Sequence, residues 1–460
     1  MYNPNLHFYF TGIGGSGMSG IAEVLLANGF RVSGSDLSSG STTQRLAKLG
    51  ATIYQGHAAT NLEESISLLV YSSAVSQENP ELLEARRRGL PVIPRAEVLA
   101  ELMRLKYGVA VAGSHGKTTT TSMTAAILEH GDLDPTVIIG GQVRSMSSGG
   151  KVGKGNFLVA ESDESDRSFL LLKPTIAVVT NIDGEHLNAY TSLTELEESF
   201  AQFVNAVPFY GLAVLCIDDL RVRSLAENYS RRKVTYGISP DAQIRATNIR
   251  AHKTSMIFDV VMDGEVLGEI NLPVPGRHLM VNSLAAIAVG LELNISFAKI
   301  SEALSTFAGV KRRLELLGEV GGVTIINDYG HHPTEIRASI AAVRAGWEGQ
   351  MNRLHVVFQP HRYTRTRDCF VEFLEAFQAC DNLVLTEIYA ASEEPIPGVS
   401  GQILCEAIDH PSKRFIKSLD DITPGLRRDL ASGDVVLFLG AGSIGHLAEQ
   451  FYGELAQSAK

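Results

Sequence analysis

The 460-residue sequence predicts an α/β protein of three consecutive domains, and three observations carry that reading. The chain is too long for one ordinary core. An apolar strand runs into a glycine loop and on into a helix at three separate places: "HFYFTGIGGSGMSG", "YGVAVAGSHGKTTTT" and "DVVLFLGAGSIGHLAEQF". Between them short apolar runs alternate with helical stretches, the pattern of strand–helix–strand units around parallel sheets. We place the domains at 1–106, 107–310 and 311–460.

In the first domain "LHFYF" is strand-like, and "SGIAEVLLANG" sets Ile21, Val24 and Leu25 on one helical face before stopping at Gly29. "FRVSGSD" is a second strand ending at Asp36, and "SLLVYSSAV" is another, with small polar residues at its C-terminal end. This order implies a Rossmann-like, doubly wound sheet. The second domain opens on "YGVAVAG" and a long helix, with "NFLVAES" and "TIAVVTNID" as further buried strands. Around 230–275 the pattern turns to alternation ("SMIFDVVMDGEVLGEINL"), which predicts a small antiparallel sheet added to a P-loop ATPase-like core. The third domain has strands in "GGVTIINDYG", "LHVVFQPHRY", "DNLVLTEIY" and "DVVLFLGAG", and again reads as Rossmann-like.

Apolar residues make up 45% of the chain and charged ones 20%, which suits soluble globular domains with ample cores. A net charge of −11 argues against a protein whose main business is coating nucleic acid. Cys216, Cys369, Cys380 and Cys405 are scattered without C-x-x-C, as reduced thiols in a cytoplasm would be. No basic, then apolar, leader and no span-length apolar run is present in the sequence. The expectation is a cytoplasmic protein with no nucleic-acid partner and no membrane insertion, monomeric or a weak homodimer.

The most specific motif is "AGSHGKTTTT". Gly113, Gly116, Lys117 and Thr118 give G-x-x-G-K-T between strand and helix. Glycines let backbone N–H groups turn toward phosphate oxygens, the helix N-terminus adds positive potential, and Lys117 supplies a point charge. Thr118 places a hydroxyl where Mg²⁺ would sit. The longer P-loop pattern wants glycine where this chain has Val111. Gly12–Gly17 and Gly440–Gly445 each fit G-x-G-x-x-G after a strand, and each leaves open dinucleotide binding, other phosphate binding, or close packing. The C-terminal copy is followed only by a helix, so no second strand can deliver a ribose-binding acid. The N-terminal copy has Asp36 in that place.

Acids cluster at the ends of two buried strands: Glu161, Asp163, Glu164 and Asp166, then Asp183, Glu185 and His186. Glu161, first after the apolar run, is the best placed to ligate a metal. Asp166, Asp183 and Glu185 read as loop and cap residues. In the last domain "NDYGHHPTEI" gathers Asp328, Tyr329, His331 and His332, and "FQPHRYTRTRD" gathers His361, Arg362, Arg365 and Arg367. If the second opens a helix, Arg362 and Arg365 share a face and form a fork for a carboxylate. Arg312 and Arg313 in "GVKRRLE" are available to reach a γ-phosphate.

Taken together, "GSHGKTTTT", "ESDESDRSF", "NIDGEH", "PGRHLMVNSLAA", "GVKRRLE", "NDYGHHPTE", "QPHRYTRTR" and "GAGSIG" run in the order found in the Mur ligases. The chain resembles that family over nearly its whole length. "GIGGSGMSG" with "YGHHPTEI…FQPHRYTRTRD" is most similar to its alanine-adding branch.

The resemblance implies an ATP- and Mg²⁺-dependent amide ligase of peptidoglycan precursor synthesis, with UDP-N-acetylmuramate and L-alanine as substrates and an acyl phosphate between them. It implies that Gly12, Gly14, Gly15, Ser16, Gly17, Asp36, His57, Ser72 and Ser73 meet the UDP-sugar. Gly113, Ser114, His115, Gly116, Lys117, Thr118, Thr119, Asn282, Arg313 and Asp328 would meet ATP. Thr118, Glu161 and His186 would hold metal, and His331, His361, Arg362 and Arg365 would hold alanine. Lys117, His186 and Arg313 are the implied catalytic set.

The chain departs from the family in three places. Asn327-Asp328 stands where a doubled aspartate is common, and Glu185 stands where an aspartate precedes the central histidine. No lysine occurs from Pro174 to Arg232, so the carbamylated lysine of sister ligases has no counterpart; Glu195, Glu197 and Glu198 are the candidate carboxylates. Three other functions remain open from sequence: a sister ligase attaching a recycled peptide to the same UDP-sugar, a nicotinamide-dependent dehydrogenase built on Gly12–Gly17, and a non-catalytic nucleotide-binding regulator.

Overall fold

Apolar strands with small residues at their C-terminal ends must bury both faces, and the chain does this three times. The computed structural model describes residues 5–72, 74–140, 150–184 and 189–458. Its contacts group into two compact units, one of residues 1–247, 259–270 and 281–310, the other of residues 248–258, 271–280 and 311–460.

The first domain runs β1 (His7–Thr11), α1 (Ser16–Ala27), β2 (Arg31–Asp36), α2 (Ser41–Lys48), β3 (Thr52–Gln55), β4 (Leu68–Tyr71), α3 (Pro80–Arg87), β5 (Val92–Pro94) and α4 (Arg95–Arg104). The five-stranded sheet has the order β3-β2-β1-β4-β5, and each pairing is parallel. Phe8 and Phe10 pack with Ile21, Val24 and Leu25 of α1 and with Val98 and Leu99 of α4. Tyr9, on the other face, packs with Leu82 and Ala85 of α3. The order reverses at β1, so ligands belong at the C-terminal ends of β1 and its neighbours.

The second domain holds β6 (Tyr107–Ala112), α5 (Lys117–His130), β7 (Thr136–Ile138), β8 (Gly150–Lys151), β9 (Phe157–Glu161), β10 (Ile176–Val179), α6 (Leu193–Asn205), β11 (Leu212–Cys216), α7 (Leu220–Asn228), β12 (Lys233–Gly237), β13 (Ile244–His252), β14 (Ser255–Met262), β15 (Glu265–Leu272), α8 (Arg277–Glu292) and α9 (Phe297–Ser305). Its ten-stranded sheet runs β15-β14-β13-β12-β11-β10-β6-β9-β7-β8. The strand carrying the P-loop, β6, is parallel to both β9 and β10. The alternating stretch forms β13 to β15, joined by tight turns with Lys253, Asp263 and Gly264 at positive φ, as hairpin turns require. Asp263-Gly264 is the strongest local signal for such a turn.

The third domain comprises β16 (Glu315–Val320), β17 (Val323–Asp328), α10 (Pro333–Gly346), β18 (Leu354–Phe358), α11 (Tyr363–Asp368), α12 (Phe370–Leu374), β19 (Asn382–Leu385), α13 (Gly401–Ala407), β20 (Lys413–Phe415), α14 (Ile422–Asp429), β21 (Val435–Leu439) and α15 (Ile444–Ser458). The six-stranded order is β16-β17-β21-β18-β19-β20, parallel except for the antiparallel edge strand β16. Ile325, Val357, Val436 and Phe438 pack against Ile422, Leu426, Ile444 and Phe451. Among the described residues no helix is long and apolar enough to cross a membrane.

Candidate active site

The sequence-predicted site residues fall in three clusters, each beside the C-terminal ends of parallel strands in one of the three sheets. In the first, the Gly12 and Ile13 amides donate to the Ser35 carbonyl at 2.8 and 2.9 Å, tying the loop to β2. Gly12 needs its φ of +80°, which glycine alone adopts freely. Asp36 sits at the end of β2 as expected, but one carboxylate oxygen accepts from the Gly14 amide at 2.9 Å and the other from Ser38 N at 3.3 Å. Its first task is therefore to hold the loop. A Cβ on Gly17 would lie 2.8 Å from Arg95 Nη1, so a guanidinium stands against the first turn of α1. Sequence reading missed Arg95, because the start of α4 brings it to the loop from 78 residues away. His57 Nδ1 lies 2.8 Å from Ser35 Oγ, and Ser72 accepts from Ala74 N at 3.4 Å. Ser73 and the Ser16 side chain lie outside the described residues.

The second constellation is the P-loop. Gly113 and Gly116 have φ of +136° and +82°, and neither has room for a Cβ: Thr180 Oγ1 would lie 2.0 Å from one, the Asn282 amide 2.6 Å from the other. Asn282 is thus packed directly against the loop. The segment after β10 braces it from the other side. Thr180 Oγ1 donates to His115 O, the His115 amide donates to Asn181 Oδ1, and Asp183 N donates to Ser114 Oγ. His115 Nε2 and Asp183 Oδ2 are 3.1 Å apart.

Lys117 Nζ donates to the Gly113 and Ser114 carbonyls and to both oxygens of Glu164, at 2.9 and 2.8 Å. Burial works against the Lys117 charge, but Glu164, Asp163 and Glu161 outweigh it and hold the ammonium well above its usual range. The same burial raises the Glu164 carboxyl against the pull of Lys117. Thr118 Oγ1 donates to the Glu161 carboxylate at 3.2 and 3.1 Å, and the Gly140 amide donates to it at 3.0 Å. Thr118 and Glu161 are therefore brought together as expected. Asp166 caps Ser168 N, the plain loop role expected of it.

His186 and Glu185 lie outside the described residues. Of the carboxylates considered for the missing lysine, Glu195 pairs with Arg167 and accepts from Thr191, interactions led by Arg167 that pull its carboxyl down to about 2. Glu197 pairs with Arg221 at 3.2 Å.

The third constellation belongs to the second compact unit. Two guanidiniums approach the Tyr329 ring, Arg312 at 4.9 Å and Arg313 at 5.1 Å from its centre. Arg313 also approaches Glu335 at 3.4 Å. Arg312 Nη2 donates to the Gly440 and Gly442 carbonyls, and a Cβ on Gly445 would meet its Nε at 2.5 Å. Of the readings left open for the "GAGSIG" loop, this geometry fits close packing around an internal cation, and Arg312, expected to be available for a γ-phosphate, is hydrogen-bonded there. Burial lowers the Arg312 pKa from its usual value.

Asp328 is buried and accepts from Leu314 N, Gly330 N and Ser339 Oγ, which stitches the start of the domain to β17. His332 caps α10, with Glu335 completing the capping box.

The His331 ring lies 5.7 Å from that of His361, which stacks on Tyr389 at 5.6 Å and 11°. Arg365 Nη1 donates to His361 Nδ1 at 3.1 Å. Burial, then His331, Arg365, Arg362 and Arg312, push the His361 imidazole down to about 3, so it is neutral at physiological pH. Arg362 does not share a helical face with Arg365. It is the N-cap of α11 with φ of +70°, because Thr364, at the helix start, is held by Glu393 and the turn before it is sharp. Tyr329 and Tyr389 are the aromatic members that sequence reading left without a role.

The description "Mur ligase family, catalytic domain" matches residues 7–107, "Mur ligase middle domain" residues 111–290, and "Mur ligase, glutamate ligase domain" residues 312–442. The chain is 50% identical over 462 residues to the UDP-N-acetylmuramate–L-alanine ligase of Geobacter sulfurreducens, covering 100% of this chain and 99% of that one. It is similar to the solved structure of the UDP-N-acetylmuramate–alanine ligase of Thermotoga maritima, at 31% identity and a TM-score of 0.83, covering 99% and 100% of the two chains. A murein peptide ligase of Psychrobacter arcticus, 24% identical with a TM-score of 0.71 over 98% of each chain, shares the fold.

Proposed function

The chain belongs to the Mur ligase family, and we propose that it joins L-alanine to the lactyl carboxylate of UDP-N-acetylmuramate, using ATP, in cytoplasmic peptidoglycan precursor synthesis. The observation that carries this reading is half identity, end to end, with relatives named for that reaction. In it, residues 1–106 bind the UDP-sugar, 107–310 bind ATP, and 311–460 bring the amino acid.

The chemistry follows from charge. The lactyl carboxylate attacks the γ-phosphorus, the bond to the β-phosphate oxygen breaks, and ADP leaves an acyl phosphate. Two anions must meet for this, so cations have to dominate locally. Lys117 supplies one and Arg313 another. Thr118 Oγ1 and the Glu161 carboxylate converge as hard oxygen donors, which suits Mg²⁺, and that ion when bound supplies further positive charge at the phosphates. The alanine amine then attacks the acyl carbon, the tetrahedral centre collapses, and phosphate leaves. Arg365 holds the alanine carboxylate, with Arg362, in the turn before α11 and not on its face, as the second cation that the family resemblance supplies. Neutral His361 adds no anion or cation of its own and orients Arg365 through Nδ1.

A phosphate-release assay with each amine donor, run with and without UDP-N-acetylmuramate, tests this. Release that requires both the UDP-sugar and alanine supports it. Release with a tripeptide and none with alanine would move the chain to the peptide-attaching reaction.

A further inference from the structure

The Lys117 ammonium has three protons, and four protein oxygens surround them. The Gly113 and Ser114 carbonyls lie at 2.6 and 3.2 Å, and the two Glu164 oxygens at 2.9 and 2.8 Å. No donor is left over for a phosphate. The lysine that a P-loop offers to a nucleotide is thus fully engaged by the protein before any nucleotide arrives. Sequence reading left Glu164 without a role in the acidic run after β9. Its side chain has no surface exposure, against 13% for Lys117, so the ammonium is the member of the pair that a ligand can reach.

Glu164 is also held from behind. Tyr190 OH donates to its carbonyl at 2.6 Å, and the Arg167 amide donates to the same carbonyl at 3.1 Å. The Arg167 guanidinium lies 4.6 Å from the Tyr190 ring centre and donates to the Ala189 carbonyl, which ties the two donors together. The Glu164 backbone is therefore a fixed post. Lys117 opens α5 on a flexible stem, so the ammonium is the part that can move.

A phosphate arriving at Lys117 competes with Glu164 for the same protons and brings a second anion toward a buried carboxylate. What the lysine gains from a bound phosphate is offset by what it gives up to Glu164. Only an interaction that is stronger in the transition state than in the ground state raises the rate of the chemical step. Charge on the transferring phosphoryl group is spread over its equatorial oxygens there, within reach of the P-loop lysine.

We propose that Glu164 is a positioning residue that stands in for phosphate on Lys117 in the empty site and yields the ammonium to the transferring γ-phosphate, so that the lysine serves the transition state rather than nucleotide affinity. This rests on the reading of the P-loop as the nucleotide site.

The test is binding of ADP and of adenosine by the full chain without metal, beside steady-state kinetics with ATP varied. Glu164→Gln removes the competing charge and should tighten ADP by about tenfold, the weight of one charge-assisted contact, with adenosine unchanged. KM for ATP should fall and kcat should not rise. A residue that merely kept the loop in shape would, when replaced, weaken ADP and adenosine alike. Asp163→Asn is the charge control, because Asp163 lies within electrostatic reach of Lys117 but accepts from Ser165 N. It should change ADP affinity by less than about threefold.

If Glu164→Gln fails to fold, Lys117→Met with Glu164→Gln carries the test, since it removes the ion and its counter-ion together. Its ADP affinity without metal should lie within about threefold of wild type, because the lysine and its competitor are lost at once. Weaker ADP binding by Glu164→Gln, an equal gain in Asp163→Asn, or a loss of about tenfold or more in the double variant would overturn the proposal. Equal ADP affinity in wild type and Glu164→Gln defeats this inference alone; no ADP binding by wild type, with or without Mg²⁺, defeats the reading of the P-loop as well.

Discussion

The Lys117 ammonium donates to both carboxylate oxygens of Glu164, so the P-loop lysine is already ion-paired within the protein. Both partners are buried, and each is the other's principal compensation. Removing one leaves an unpaired buried charge, which typically costs about 3–5 kcal/mol, whereas replacing both is close to neutral. Lys117→Met should therefore abolish phosphate release and lower unfolding stability by about that amount. Lys117→Met with Glu164→Gln should regain most of the stability and none of the activity. Urea unfolding alongside the phosphate assay separates the two effects; equal stability of the single and double variants would contradict the pairing.

Thr118 and Glu161 meet across the P-loop edge, at the distance of a hydrogen bond and without a lysine between them. If they hold Mg²⁺, weakening the pair should change the metal requirement before it changes nucleotide contacts. Glu161→Gln keeps the shape and removes the charge. The Mg²⁺ concentration for half-maximal phosphate release should rise by about tenfold or more, the loss of one charge-assisted contact. Nucleotide binding measured without metal should change little. A Mg²⁺ titration that superimposes on wild type would remove Glu161 from the metal set.

Much of this was readable in the sequence because glycine loops are local. Strand, loop and helix lie within about a dozen residues, and each loop was found where a strand ends. Thr118 and Glu161 were legible for a related reason, since both stand where strands deliver ligands. What was not legible depends on partners far apart in the chain. Arg312 meets Gly440 and Gly442 across 128 and 130 residues, so the sequence left the third glycine loop open between phosphate binding and close packing, and the side chain packed into it could not be read locally. Glu81 meets Tyr9, Thr11 and Ser35 across 72, 70 and 46 residues. Arg362 failed for a local reason that spacing does not encode: the i, i+3 argument assumed a helix one residue longer than α11.

His361 gives a pH prediction whose sign is fixed by burial and neighbouring cations, which lower its pKa from 6.5 to about 3. Between those values the unfolded chain binds the proton and the folded chain does not. Stability therefore rises with pH across that window and is lost as pH falls from 6.5 toward 3. His361→Asn removes this contribution. Melting temperatures of wild type and variant, compared from neutral pH downward, should differ by an amount that shifts against wild type as acid increases. A difference that does not change with pH would mean that His361 is not held neutral.

Gly442 faces the opposite side of the same stack. A Cβ there would lie 2.6 Å from Tyr389 Cγ and 2.5 Å from Gln359 Oε1, too close for either to stay. The Tyr389 Cβ would also lie 2.7 Å away, so rotating the ring does not relieve the clash and the Tyr389 backbone, which accepts the Arg362 amide, has to shift, whereas Gln359 is buried and its Oε1 accepts the Ile444 amide that starts α15. Gly442→Ala should therefore unstack Tyr389 from His361 and leave the helix in place. His361 orients Arg365, so under the proposed role of Arg365 in holding alanine the consequence falls on the amino acid. KM for alanine should rise by about tenfold, one weakened charge-assisted contact, with a lowered melting temperature and nucleotide affinity near wild type. Steady-state kinetics with alanine varied, beside nucleotide titration, checks it. An unchanged alanine KM would show that the stack does not hold Arg365 in its working position.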